Sequence, residues 1–323
     1  SLHLALAREA GVPLEAGIVA RVEPALLTTL ASDKGLPWED RLDAAEAAAA
    51  RSLLSARDLA EIYRQAIVAG AGDSNPRVSA FAVSLEAPDQ TTRLGAIASA
   101  FEETPVDLWP ATLPAFAGSL RAIAPTMAHA DNSVFMTEAL ALLGDAARAD
   151  GWIGIATTTA PGEVARLETL VRIATPAQSS FVMPWNPDVA LRSVEVRLDE
   201  GDREAKWLTA FEMQALASLG VPVPQVVWAQ FDDAEMPGVR LDEQALRALR
   251  VAAQDRRAGE AALATLTALS SIESDGALAQ TRPADLTPGS LAAIITALVR
   301  SGLEEDARRV AVEALIVRAH GEG

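Results

Sequence analysis

Three histidines, His3, His129 and His320, stand far apart in the chain, and none has a second metal-ligating residue at helical spacing or a His-Glu-x-x-His around it. The pattern predicts solvated histidines rather than a metal centre, because zinc needs three or four ligands converging at about 2 Å. The 44 acidic residues include pairs such as Glu102-Glu103 and Asp232-Asp233. Glycoside cleavage uses two carboxylates facing each other across a sugar cleft, a geometry that sequence neighbours do not supply. Asp232 to Glu243 has the length of a calcium-binding loop, but Ala234 and Met236 stand where oxygen ligands are required and Pro237 where the turn needs glycine. Neither lysine follows a phosphate-cradling glycine loop. Gly151-Trp152-Ile153-Gly154 lacks both the spacing and the leading strand of a dinucleotide fingerprint, and there is no Gly-x-Ser-x-Gly elbow. The absence of cysteine excludes disulfides, thiolate metal sites and cysteine nucleophiles together. The expectation is a chain with no cofactor and no catalysis of its own.

Six tryptophans remain: Trp38, Trp109, Trp152, Trp185, Trp207 and Trp228. Tryptophan fills gaps where helix ends meet, and it is also enriched at binding hot spots. Most of the six read as core anchors. Trp152 and Trp185, each flanked by helix breakers with little other apolar company, are the candidate partner-binding residues.

The elements that would carry these side chains are helical. Alanine makes up about a fifth of the chain and aromatic residues 4%, and alanine favours helix because it loses no side-chain entropy there. Leu59, Ile62, Tyr63, Ala66 and Ile67 fall at i, i+3, i+4, i+7 and i+8, with Ser55 and Asp58 as a capping pair. Val134/Phe135, Ala139, Leu142, Leu143 and Ala146 read as one helical face; Val164, Leu167, Leu170, Val171 and Ala174 as another; Arg203 to Leu219 as a third. Pro- and Gly-rich breaks such as Gly70 to Pro76, Glu86 to Asp89, Met183 to Pro187 and Val221 to Pro224 separate them, as in helical hairpins. Strand signals are confined to Phe181-Val182-Met183 and Val194 to Leu198. The break from Gln178 to Asp188 suggests a division into 1–180 and 181–323, although one continuous array of hairpins accommodates it too.

The formal charge of −17 repels phosphate backbones and excludes nucleic acid as a partner. It favours a neutral or basic protein or peptide. Only Lys34 and Lys206 are lysines, an arginine and alanine bias that fits a GC-rich bacterial source. The longest apolar run, Leu291 to Val299, is well short of the roughly 20 residues that span a bilayer. Ser1-Leu2-His3-Leu4 has neither an initiating Met nor a basic leader region, which reads as a trimmed or processed chain and fits a bacterial periplasm or cytoplasm.

The last 35 or so residues carry the most specific pattern. Leu291, Ile294, Ile295 and Leu298 form one helical face, Gly302 breaks it, and Ala307, Ala311 and Ala314 line the next helix beside Leu303, Val310 and Leu315. Glycine, alanine five residues on, and alanine four and seven further resembles the second half of a tetratricopeptide repeat. Leu291, Ile295 and Leu298 depart from the residues that family has in its first helix, and Ala319 replaces its proline. The resemblance implies a superhelical scaffold for peptides or partner proteins. The expected fold is therefore all-α, stacked helical hairpins in an arc or superhelix of the α-solenoid kind, and the expected function a noncatalytic interaction scaffold. The alternative is a helical accessory domain of a cell-wall enzyme such as a lytic transglycosylase, with catalysis outside this chain. Glu273-Ser274 here is followed by Asp275-Gly276-Ala277, and no aromatic residue follows Phe231.

Overall fold

A computed structural model describes residues 22–177, 203–228, 238–272 and 278–321, with positions 19, 179, 180, 194 and 231. Among them the fold is all-α apart from a three-residue antiparallel ribbon, β1 (Ser270–Ile272) with β2 (Leu278–Gln280), which the sequence did not signal. The suggested strands Phe181-Val182-Met183 and Val194 to Leu198 lie outside the described residues, Val194 excepted. Val194 is helical and buried. The chain groups into two compact units, Ser1–Ala124 and Pro125–Gly323. The division expected near residue 180 thus falls inside the second unit, because the helix before it packs on the last helix of the chain.

The first unit contains α1 (Pro24–Ser32), α2 (Trp38–Ala50), α3 (Ala56–Val68), α4 (Pro76–Glu86), α5 (Gln90–Glu102), α6 (Trp109–Thr112) and α7 (Ala117–Ala122). Side chains start three of them. The Ser55 hydroxyl accepts from the Asp58 amide, Asn75 accepts from the Arg77 and Val78 amides with Pro76 in the first turn, and Asp89 accepts from the Thr92 amide. Each satisfies backbone donors that a helix N-terminus leaves open. Buried Ala44, Ala45, Ala48 and Ala49 of α2 have no bulk to hold neighbours away. The centre is filled by Tyr63, Phe81, Phe101, Phe116 and Trp109, in edge-on contacts such as Phe81–Phe116 at 5.4 Å and Phe101–Trp109 at 5.7 Å between centroids.

The second unit contains α8 (Ser133–Leu142), α9 (Ala146–Thr159), α10 (Val164–Ala174), α11 (Arg203–Ser218), α12 (Gln225–Trp228), α13 (Glu243–Asp255), α14 (Ala258–Ala268), the ribbon, α15 (Pro288–Arg300) and α16 (Glu304–His320). The single helical face read from Val134 to Ala146 is two helices. Gly144 takes a φ of +70°, open to glycine at little cost, and Asp145 caps α9 by accepting from the Arg148 amide. The α15–α16 hairpin follows the expected outline: Gly302 turns the chain with φ +84°, and Leu291, Ile294, Ile295, Leu298, Ala307, Ala311, Ala314 and Leu315 are all buried. Helix α16 packs on α8, α10, α11 and α15. Its contact with α8 joins the first α-helix of the unit to the last.

Candidate functional site

The most unusual chemistry in the second unit lies where α8, α10 and the end of α16 meet. Glu138 faces inward from α8 in an otherwise apolar stretch and is 0% exposed. Arg166 of α10 reaches it with Nη2 at 2.6 Å from Oε1, and the Arg166 Nε donates to Glu163 Oε2 at 2.7 Å. From the last turn of α16, His320 places Nε2 2.9 Å from Oε2 and 3.0 Å from Oε1 of Glu138. Burial by itself raises the pKa of Glu138, but the charge of Arg166 and the hydrogen bond from His320 outweigh it and hold the carboxyl below its ordinary value. Burial works to lower Arg166 as well; Glu138 and Glu163 reverse it and raise the guanidinium above its usual range. The carboxylate is therefore charged, surrounded by donors and sealed from water. Such a group braces three helices. A general acid or base, by contrast, needs an open line to a substrate proton.

The first unit repeats the arrangement with different residues. Glu46 of α2, 4% exposed, accepts from the Tyr63 hydroxyl at 2.7 Å, from Asn75 Nδ2 at 3.3 Å, and from both the Nε and Nη2 of Arg77. Arg77 Nη1 goes on to Thr104 Oγ1 at 2.9 Å. Burial, then the negative charge of Glu46, pushes the Tyr63 phenol well above its ordinary pKa and keeps it a donor. This fork-on-fork geometry is the strongest form of an arginine–carboxylate pair.

Trp152 is 0% exposed. Gly151 and Gly154 do not break the chain around it but lie inside α9, and a Cβ at Gly151 would stand 3.4 Å from Pro125 Cγ. The glycine permits close packing and the indole goes into the core, its ring centroid 6.3 Å from that of His129. A partner reaches Trp152 only if the unit opens. Trp185 lies outside the described residues. Trp109 is buried and donates to the Thr104 carbonyl. Trp38, Trp207 and Trp228 are half-buried, with Arg41 stacked on Trp38 at 3.7 Å and Arg318 on Trp207 at 3.2 Å.

Of the two described histidines, His129 is not solvated as its isolation in sequence suggested, being 6% exposed, whereas His320 is exposed and meets Glu138 through Nε2. His3 lies outside the described residues. Among the described residues no group of three His, Cys, Asp or Glu converges on a common point, and no helix is long and apolar enough to cross a membrane.

Sequence reasoning passed over Glu46 and Glu138, yet both carry a signal: a lone carboxylate in an apolar helical run, Ala44-Ala45-Glu46-Ala47-Ala48 in one case and Phe135-Met136-Thr137-Glu138-Ala139-Leu140 in the other. Glu212, between Phe211 and Met213, follows the same rule and is 2% exposed. Compared with known proteins, the chain matches no protein-family model, no curated protein and no solved structure.

Proposed function

We propose that this chain is a noncatalytic helical scaffold that binds other proteins. The observation supporting it is that the two saturated carboxylate clusters, Glu46 with Arg77 and Glu138 with Arg166 and His320, are sealed at 4% and 0% exposure of the acids and tie helices together. The polar side chains with the most chemical potential are thus committed to rigidity, which is what a binding platform requires. The buried alanines of α16 support reading α15–α16 as a degenerate tetratricopeptide-like hairpin. The net charge of −17 favours a partner that is neutral or basic as a whole.

The test is to recover a partner by affinity capture from the source cells, purify it separately, and titrate it against this chain by calorimetry. The expected outcome is a saturable complex of fixed stoichiometry in which the partner's mass is unchanged after prolonged incubation. Covalent alteration of the partner by the chain, or failure of any purified candidate to bind, overturns the reading.

A further inference from the structure

His320 is the exposed member of a buried charge cluster. Its side chain keeps 38% of its surface in solvent, against 1% for Glu138 and 12% for Arg166. Its Nε2 lies 2.9 Å from one oxygen of Glu138 and 3.0 Å from the other. A charged carboxylate can only accept hydrogen bonds, so Nε2 carries a hydrogen whenever this contact is made. The second ring nitrogen, Nδ1, then decides the charge. The neutral ring donates an ordinary hydrogen bond to Glu138; the imidazolium donates a charge-assisted one, roughly twice as strong.

The surrounding charges favour the cation. Glu138 and Glu163 share the single guanidinium of Arg166, so these three groups sum to −1 and a proton on His320 brings the cluster to zero. Among the described residues, α8 carries no charged side chain besides Glu138, and α10 carries Arg166, Glu168 and Arg172, the last set beside Arg308 toward the start of α16. The other elements packed on α16 bring Lys206 and Glu212 from α11, Arg300 from α15 beside the Gly302 turn at the far end of the hairpin, and Asp285, which is paired with Arg282. On α16 itself, Arg318 is committed to the Ala284 and Leu286 carbonyls and to the Trp207 ring. Glu313 lies about two turns back along the helix, where burial favours its protonated form. His320 also ends α16, and the partial negative charge at a helix C-terminus favours a cation there.

We propose that His320 is a proton-operated latch: proton uptake as pH falls from about 8 to about 5.5 fastens the last turn of α16 to α8 through Glu138, and proton loss frees that turn while the rest of the second unit stays folded. The sign follows from the partner. A charged carboxylate favours imidazolium over the neutral ring, so the added hold is present on the acid side of the ordinary imidazole range, around pH 6.5, and is lost on the alkaline side. Glu138 stays charged across this window, because its carboxyl is held below the ordinary glutamate value. The latch belongs to the fold and is independent of the scaffold reading.

The experiment uses the full chain and follows amide hydrogen exchange in the last turn of α16, where the Gly321 amide donates to the Val317 carbonyl, with rates corrected for the intrinsic pH dependence of exchange. The expected result is protection that falls by about fivefold between about pH 5.5 and about pH 8, while protection within α9 is unchanged. His320→Gln keeps a neutral donor at the position and should be weakly protected at both pH values. His320→Arg carries a permanent charge and should be well protected at both. Because His320 is exposed at the end of its helix, circular dichroism melts of both variants should show the fold retained. Glu138→Gln should abolish the pH dependence from the other side of the contact; if that variant does not fold, the two His320 variants decide alone. Wild-type protection that is flat between the two pH values overturns the proposal, and so does a pH dependence that persists in His320→Gln or in His320→Arg.

Discussion

Replacing Glu138 by Gln keeps the shape of the side chain and removes its charge, leaving the Arg166 guanidinium buried against one partner, Glu163, rather than two. Breaking one side of a buried pair costs about 3–5 kcal/mol, so Glu138→Gln should lower the unfolding free energy obtained from urea melts by an amount in that range. The double change Glu138→Leu with Arg166→Met removes both charges and should recover most of the loss. Because the Glu138 carboxyl is held below its ordinary value, its contribution is fully present above the unfolded glutamate pKa of about 4.3 and is lost as pH falls through the lower folded value. Urea melts between neutral pH and roughly pH 3 should therefore show an acid limb that is shallower in Glu138→Gln. Glu313 has the opposite sign. Burial raises its pKa, with Arg309 opposing, so the folded state holds its proton more readily and stability falls as pH rises above the ordinary glutamate value. Glu313→Gln should raise the thermal midpoint at neutral pH and lose that advantage in acid.

At the scale of elements, α15 and α16 meet through small residues, with Ala307, Ala311 and Ala314 each 0% exposed. A leucine at 311 or 314 has no room, and overpacking of this kind costs on the order of 1–3 kcal/mol; an unchanged urea midpoint in both variants would show a looser crossing. This hairpin, α3, α10 and α11 were legible in the sequence because each holds one apolar stripe at helical spacing between breakers. The boundary between α8 and α9 was not, because apolar residues stay in phase from Val134 to Ala146 even though Gly144-Asp145 spells a helix stop and a cap. The ion-pair sites were illegible for a different reason: Glu138 meets residues on two other helices, and no local pattern names partners so distant. Trp152 was misleading for a third. Its flanking glycines promised a break, whereas both lie inside α9, which continues through them and carries the indole into the core.

Across the whole molecule the charge of −17 opposes compactness, since like charges are held closer in the folded chain than in the unfolded one. Raising sodium chloride from about 0.01 M to about 0.3 M shortens the screening length from roughly 30 Å to under 10 Å and should raise the thermal midpoint of the wild-type chain. A midpoint that falls would show surface ion pairs outweighing the net repulsion. The helical content should dominate the far-ultraviolet circular dichroism throughout, and a sheet-like spectrum would contradict the fold.

The pairing of Glu138 with His320 also sets an order of events during synthesis. The two residues are 182 positions apart, and α16 supplies the surface on which α8, α10, α11 and α15 close. At roughly 5–20 residues per second, a ribosome that has just made α8 needs on the order of ten seconds or more to deliver α16. Throughout that interval the faces of α8, α10, α11 and α15 that meet α16 have nothing to close them, so escort by a holding chaperone suits the nascent second unit, whereas the first unit has its whole polar cluster, from Glu46 to Thr104, in hand before α8 is translated.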